Sequence, residues 1–535
     1  MKCGIMEDMY DILIKNGEVV DGSGKAKYKA DVAVADGRIA KIGALGSARA
    51  EITLEVDGLA VAPGFIDVLS HSDAYLTLFT APGQESSVSQ GVTTIIGGNC
   101  GYSLAPLAFP GTLIAEQRWT DNPAQINVDW LKMGEFLECL KNKKIAVNFG
   151  TLAGYNTIAR GLLEHSHRPL NQYESEIALF LVEQALDEGA LGVSLGLAYL
   201  AQNGHGAERL GAVFEKVKSR GKVITAHLGD EWSNFLDSLN FVLKLAEEHK
   251  TVMHISHLKV FHEKYWPNFR RAIMLIEKAQ KNGAKISFDI FPYASSSLPL
   301  YLLLPDWAKK SGPDLIIKRL KNNFERKKIV KDLVKRELDF SKMTVASLAP
   351  DLYIGKTVVE VAKDFGLSGE ETICELLLAS RLRAVVFAHL LDETALEMAV
   401  THPLALIGSS GAGYSLTQAP AADRNLPHPR SFGSFPRFFR KYAREKKLLT
   451  LEEAVAKVTA RPAELFDIKN RGLLKEGYFA DIAVFDPVGI VDKATFQNPF
   501  QYSEGVTNVI VNGALVYDRG YFIKNFPGRC LTSVR

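Results

Sequence analysis

Short apolar runs separated by longer amphipathic stretches set the rhythm of this chain through most of its length. The apolar runs fall at residues 92–96, 147–150, 192–194, 223–227, 252–257, 286–290 and 404–408. Between them, residues 173–188 and 235–249 carry apolar positions at helical spacing. Strand and helix alternating at this scale predict parallel βα units. Roughly seven or eight such units in one stretch fit a (β/α)8 barrel better than a doubly wound sheet. No GxGxxG opens a helix, which lowers the dinucleotide reading.

The two ends have a different texture. Residues 11–15, 31–35 and 38–42 are β-rich and are broken by Asn16-Gly17, Asp21-Gly22 and Asp36-Gly37, each a hairpin turn signal. The same texture returns at 480–485 and 506–511, followed by Asn512-Gly513. This predicts a small β-sandwich domain built from residues 1–62 plus 475–535, flanking a barrel over 63–474. One stretch breaks the barrel rhythm. Residues 299–363 are long, basic and helix-rich, especially 309–335. We read an insertion near the barrel mouth within this segment; the plainer reading is long exterior helices.

Composition narrows the function classes. A chain of 535 residues exceeds one small core. Its 47% apolar and 23% charged residues are those of an ordinary globular protein. A net charge of +2 offers no strong field for nucleic acid or an anionic membrane. No run approaches the roughly 20 apolar residues of a membrane span, and residues 1–10 lack a signal-peptide pattern. Cys3, Cys100, Cys139, Cys374 and Cys530 are few, odd in number and scattered, as expected of reduced thiols in a cytoplasmic protein.

Barrel chemistry gathers at the C-terminal ends of the strands. Four such ends carry potential ligands: the stretch from Asp67 through His71 to Asp73, Asn99-Cys100-Gly101, Ala226-His227, and His254 to Lys259. His227 and His257 stand about one βα unit apart, so neighbouring strands can bring both into one mouth. Cys100, His227 and His257 make a good set of three zinc ligands with a fourth position open. The bland reading stands beside it. A buried Cys is commonly core packing, and a His after an apolar run is commonly a hydrogen-bonded structural residue. His254 and His257 differ in strand parity and cannot both face the mouth.

Longer motifs carry a resemblance. The chain is similar over nearly its whole length to the N-acyl-D-amino-acid deacylases (D-aminoacylases) of the amidohydrolase superfamily. The segments are DILIKNGEVVDGSG, APGFID, SQGVTTIIGGNCGYSLAPL, GVSLGLAY, TAHLGDE, HISHLK, FDIFPYASSS, the run from HPRSFGSFP to RPAELF, and RGLLKEGYFADIAVFDP. The resemblance implies a barrel, a small β-domain from both termini and an insertion near the active site. It implies a zinc on Cys100, His227 and His257, a substrate carboxylate held by Lys259, Arg430 and Ser297, and Tyr199 as the donor to a tetrahedral intermediate. Two fixed cations and a hydroxyl suit a carboxylate, and a phenol suits an oxyanion.

Departures from the family pattern matter as much. Where the first strand of the family ends in His-x-His, this chain has Leu69 and His71, so the weaker second metal site is expected to be empty. Where the family has Ser-Asp-Gly with an acid–base aspartate, this chain has Ser410. A serine hydroxyl has no acid–base capacity near neutral pH. Phe291 replaces a tyrosine of the family. The expectation is therefore a mononuclear zinc enzyme, binding one Zn2+ and acting on a small carboxylate such as an N-acyl amino acid. No nucleic-acid or membrane partner is expected, and the state is monomer or homodimer. The alternatives are acyl transfer, cyclisation or lyase chemistry, or a non-catalytic ligand-binding relic. Substitutes for the missing base are His71, Asp73 or the substrate's own carboxylate.

Overall fold

The structure is a computed structural model that describes residues 9–109, 111–113, 126–163, 168–200, 207–310, 312–348, 351–417 and 425–532. Its centre is a set of short, fully buried parallel strands. Phe65–Asp67, Val92–Gly97 and Asn148–Thr151 pair in parallel in that order. After Leu152 the chain re-enters a second parallel sheet, Ala153–Gly154, Gly192–Gly196, Val223–His227, Val252–Ile255, Ile286–Ile290 and Ala405–Ile407. The last strand leads back to the first. A parallel bridge joins Ser70 to Gly411, the Ser410 amide donates to the Leu69 carbonyl at 2.8 Å, and His71 donates to Gly411 at 2.7 Å. The pairing order is that of a ring of parallel strands, as the strand–helix alternation predicts.

Strands buried on both faces read as continuous apolar runs, and Ile95, Ile96, Val223 and Ile224 are of this kind. Helices cover the outside. Phe235–His249 buries Phe235, Leu239, Val242, Leu243 and Ala246, a stripe at helical spacing, and exposes its charged side. Gln172–Asp187 starts at Asn171, whose side chain accepts from the Glu174 amide in a capping box. Ile66, Val68, Leu69, Ile96, Leu152, Leu191, Val223 and Leu406 form one apolar cluster drawn from several ring strands.

Both termini contribute to one nine-stranded sheet. The joint is the antiparallel pairing of Ala60–Pro63 with Ile482–Phe485. Alternation places Ile12, Ile14, Val32 and Val34 on one face and Leu13 and Ala33 on the other, and both faces are buried. Asp36-Gly37 and Asn512-Gly513 take positive φ at both residues, the conformation of a tight hairpin. Asn16-Gly17 differs from the expectation. The strand Met9–Val19 runs straight through it, with a register shift between Ile14 and Gly17. Asn16 adopts φ 63° inside the strand, and a Cβ on Gly17 would meet Val61 at 2.4 Å. The pair makes a bulge against a neighbouring strand, not a turn.

Between Ile286–Ile290 and Ala405–Ile407 lies a unit with its own core. Ser296–Pro299, Val385–Ala388 and Met343–Ser347 form an antiparallel sheet with Val385–Ala388 in the middle. Helices Pro313–Lys321, Asn323–Val334, Val358–Phe365 and Gly369–Ala379 pack on it through Leu320, Leu333, Val361 and Leu377. The unit contains residues 299–363 and reaches beyond them to Ala388. No helix among the described residues is long and apolar enough to cross a membrane.

Candidate metal and carboxylate site

Cys100, His227 and His257 meet at the C-terminal ends of three ring strands. Val92–Gly97 is followed by Gly98-Asn99-Cys100-Gly101, where Gly98, Cys100 and Gly101 all take positive φ. A Cβ on Gly98 would lie 2.1 Å from the Leu152 carbonyl oxygen, so glycine alone lets the turn press against the next strand. His227 ends its own strand. His257 lies two residues past Val252–Ile255 at φ 36°, its amide held by Asp289 Oδ1 at 3.0 Å. Cys100 and His257 are non-glycine residues in the left-handed region, a strain that persists only where surroundings fix it and that clusters at functional sites.

One donor atom from each of the three residues lies within 4.8 Å of the others. Cys100 Sγ is 3.3 Å from His257 Nε2, and the two imidazole rings stand edge to face with centroids 4.5 Å apart. All three side chains are buried, and His227 Nδ1 has no hydrogen-bond partner among the described residues. A buried polar atom without a partner is costly, and coordination of a cation would remove that cost. One thiol and two imidazoles within bonding reach of a common point suit zinc. Burial pushes both imidazoles well below 6.5, so they are neutral at physiological pH, and pushes the thiol up from its ordinary value. His254, of opposite parity, is taken up elsewhere. Its Nδ1 meets Ser287 at 2.8 Å and its Nε2 meets Asp289 at 2.9 Å.

The same cleft, with about 630 Å3 of free space including its open mouth, is lined by His71, Tyr199, Lys259, Ser297, Ser410 and Arg430. Ser297 comes from the inserted sheet, and Arg430 is the first residue of helix Arg430–Phe438. Arg430 is 7% exposed, its Nε has no hydrogen-bond partner, and no carboxylate pairs with it among the described residues. Burial lowers it to about 10, so it remains charged at neutral pH. Phe291 lies under its guanidinium at 4.9 Å, supplying a π face where a hydroxyl was expected to be lost. His428 accepts from the Arg430 amide at 3.0 Å and donates to the Ser295 carbonyl at 3.1 Å, tying the Arg430 helix to the segment that carries Ser297. The Tyr199 ring packs 5.1 Å from that of His227.

Leu69 is absent from the cleft. It is fully buried in the apolar cluster of the ring, where its Cβ lies 2.9 Å from a Cβ built on Gly408. Leu69→Ala is expected to cost about 2–5 kcal/mol, as for a leucine deleted from a tight core, while leaving the zinc content of the protein unchanged. Thermal denaturation and elemental analysis would check the pair of outcomes. His71 does line the cleft, and burial with Arg430 and Lys259 nearby holds it down at about 3. Asp73 lies behind the site, where its Oδ2 accepts from the Gly98 amide at 2.6 Å.

One residue was not singled out from the sequence. Glu231 lines the cleft, forms an ion pair with Lys259 and comes within 3.3 Å of His257 Nδ1. No local signal marked it: only the fold buries Lys259 and sets Glu231 against it.

A family model described as amidohydrolase family matches residues 378–517. D-aminoacylase of Alcaligenes xylosoxydans xylosoxydans is 31% identical over 522 residues, covering 98% of this chain and 97% of the relative. The crystal structure of N-acyl-D-glutamate deacylase from Bordetella bronchiseptica, complexed with zinc and a phosphonate mimic of the tetrahedral intermediate, matches 98% of this chain and 100% of that one. Its TM-score is 0.83 at 28% identity. A D-aminoacylase structure concerned with a binuclear metal centre, its one-metal activation and second-metal attenuation, matches 98% of this chain and 100% of that one with TM-score 0.82 at 28% identity. The fold is thus that of the amidohydrolases. Within them, the chain belongs to the N-acyl-D-amino-acid deacylase (D-aminoacylase) family.

Proposed function

We propose that this chain is a mononuclear zinc enzyme working at the C–N bond of a small carboxylate-bearing substrate, most simply an N-acyl D-amino acid. The supporting observation is the juxtaposition of Cys100, His227 and His257 with Lys259, Arg430 and Ser297 in one cleft. Cys100, His227 and His257 would hold the ion, which when bound supplies Lewis acidity to an amide carbonyl. Arg430, charged, dry and without a carboxylate partner among the described residues, fits a carboxylate, because a buried guanidinium is stabilised by a paired anion. Lys259 and Ser297 add a second cation and a hydroxyl. The Tyr199 phenol, kept protonated by a pKa that burial raises, donates to developing negative charge on the carbonyl oxygen. One ion is the reading because Leu69 replaces a ligand of the second site.

The architecture that goes with this reading is a (β/α)8 barrel over residues 63–474. A terminal β-domain flanks it, and the insertion lends Ser297 to the mouth. Cys100, Cys139, Cys374 and Cys530 are free thiols, which fits a reducing, cytoplasmic setting. A second reading rests on Ser410: without a residue to shuttle protons to water and the leaving amine, the cleft suits acyl transfer, cyclisation or elimination, or ligand binding alone.

Elemental analysis of the purified full chain is expected to return one zinc per chain, and a metal-free native protein would defeat the proposal. Arg430→Met is expected to raise KM for N-acyl D-amino acids by about 10²-fold, in the range for removing one partner of a buried charge pair. The corresponding carboxamides should be insensitive to it. Equal sensitivity of acid and carboxamide would remove Arg430 from carboxylate recognition.

A further inference from the structure

Glu231 stands four positions after His227 and, among the described residues, is the sole carboxylate lining the cleft. Its Oε1 lies 3.3 Å from His257 Nδ1 and 3.9 Å from His227 Nε2, and it binds the Lys259 ammonium. Lys259 Nζ itself lies 2.9 Å from the same His257 Nδ1. These contacts cannot all be served at once. An ammonium has three donors and no acceptor. When Lys259 contacts Nδ1, that nitrogen accepts, and the proton of the neutral ring sits on Nε2, the atom facing Cys100 Sγ at 3.3 Å. A ring in that tautomer has no lone pair to offer on the side of the cluster. When Nδ1–H donates instead to Glu231, Nε2 carries the lone pair and the ring is ready to ligate.

Two arrangements therefore compete for one nitrogen, and Lys259 decides between them. Lys259 is also a cation assigned to the substrate carboxylate. A carboxylate that draws the ammonium away from Nδ1 leaves that nitrogen to Glu231 and selects the ligating tautomer. We propose that Glu231 is a positioning residue that couples zinc ligation by His257 to carboxylate capture by Lys259, so that zinc and a carboxylate bind with positive cooperativity. The inference rests on the zinc and carboxylate reading above. By linkage the coupling is reciprocal.

The test is the zinc dissociation constant of the full chain, measured by competition with a chromophoric chelator. It is taken with and without saturating 4-methylpentanoate, a carboxylate with no amide to cleave. Wild-type protein is expected to hold zinc about 5–150-fold more tightly with the carboxylate present, the usual span of such couplings. Glu231→Gln should weaken zinc about 10–100-fold, as loss of a carboxylate behind a ligating histidine does, and should abolish the response. Glu231→Asp should restore part of both. Lys259→Met removes the competing donor and keeps the carboxylate, so it should bind zinc at least as tightly as wild type. That variant carries the test should Glu231→Gln fail to fold by circular dichroism. Equal zinc affinity in wild type and Glu231→Gln, a wild-type affinity indifferent to 4-methylpentanoate, or weakened zinc in Lys259→Met would each overturn the coupling. Wild-type protein that binds no zinc at all would instead overturn the proposed function beneath it.

Discussion

Replacing Ser410 by aspartate is expected to raise hydrolysis of N-acyl-D-amino acids by about 10²–10⁴-fold in kcat/KM, the contribution of one positioned acid–base group. The position is suited to the change. Ser410 is buried in the wall of the cleft that holds Cys100 and His257. It sits at φ 49°, a left-handed conformation that aspartate tolerates better than most residues. Its backbone is fixed on both sides. Ser410 donates to the Leu69 carbonyl, Gly411 bridges to Ser70, and Ser409 is pinned to the Asp67 carboxylate by its amide at 2.8 Å and its hydroxyl at 2.5 Å. A carboxylate introduced there would therefore inherit a geometry already set by the loop. It would also have Arg430 in the same cleft to offset the cost of burial. Initial rates on N-acetyl-D-methionine with zinc-loaded protein decide the matter. A steep rise means that the scaffold is intact and lacks a proton carrier alone. An unchanged rate means that the cleft has been reshaped for a reaction in which water is not the nucleophile.

The parts of this molecule that were legible in the sequence are those where local pattern and tertiary outcome coincide. The ring strands could be read because burial on both faces leaves unbroken apolar runs, and the meeting of Cys100, His227 and His257 because each stands at or just past the end of such a run. Val385–Ala388 is an apolar run followed by a helix, with the same local texture as a ring strand, yet it pairs antiparallel inside the inserted unit. Nothing local sets it apart, and the unit reaches past residues 299–363. Asn16-Gly17 carried a turn signal, but the same preference for positive φ served a bulge because a neighbouring strand was there to pair. Glu231 escaped for a third reason. An Asp-Glu pair in a loop after a strand ordinarily faces solvent, and only the fold brings Lys259 and His257 against it. Leu69 shows the reverse: its substitution was plain in the sequence. What the structure adds is that the leucine completes an apolar floor, so a histidine restored there would have to be buried among Ile66, Ile96 and Leu152.

On the proposed reading, Cys100 is the zinc ligand whose loss should be felt most. Burial raises its thiol well above the ordinary cysteine value, while His227 and His257 are held neutral. At neutral pH the metal-free site therefore carries one proton that a metal must displace, because zinc binds the thiolate. The sign follows from mass action. Binding releases a proton, so zinc affinity is expected to fall about tenfold for each unit by which pH is lowered below the thiol's pKa. The two imidazoles contribute no further slope between about pH 6 and 8, since each has already lost its second proton. Cys100→Ser keeps the shape but offers a hydroxyl that stays protonated throughout. If a zinc binding energy of about 10–16 kcal/mol is shared over three or four ligands, one ligand is worth roughly 2.5–5 kcal/mol, or about 10²–10⁴-fold in affinity. Chelator competition between pH 6 and 8 is expected to give a slope near one for wild type and a pH-independent, much weaker constant for Cys100→Ser. A slope near three would mean that the histidines are charged in the free site, and a zero slope in wild type would mean that the thiol is not a ligand.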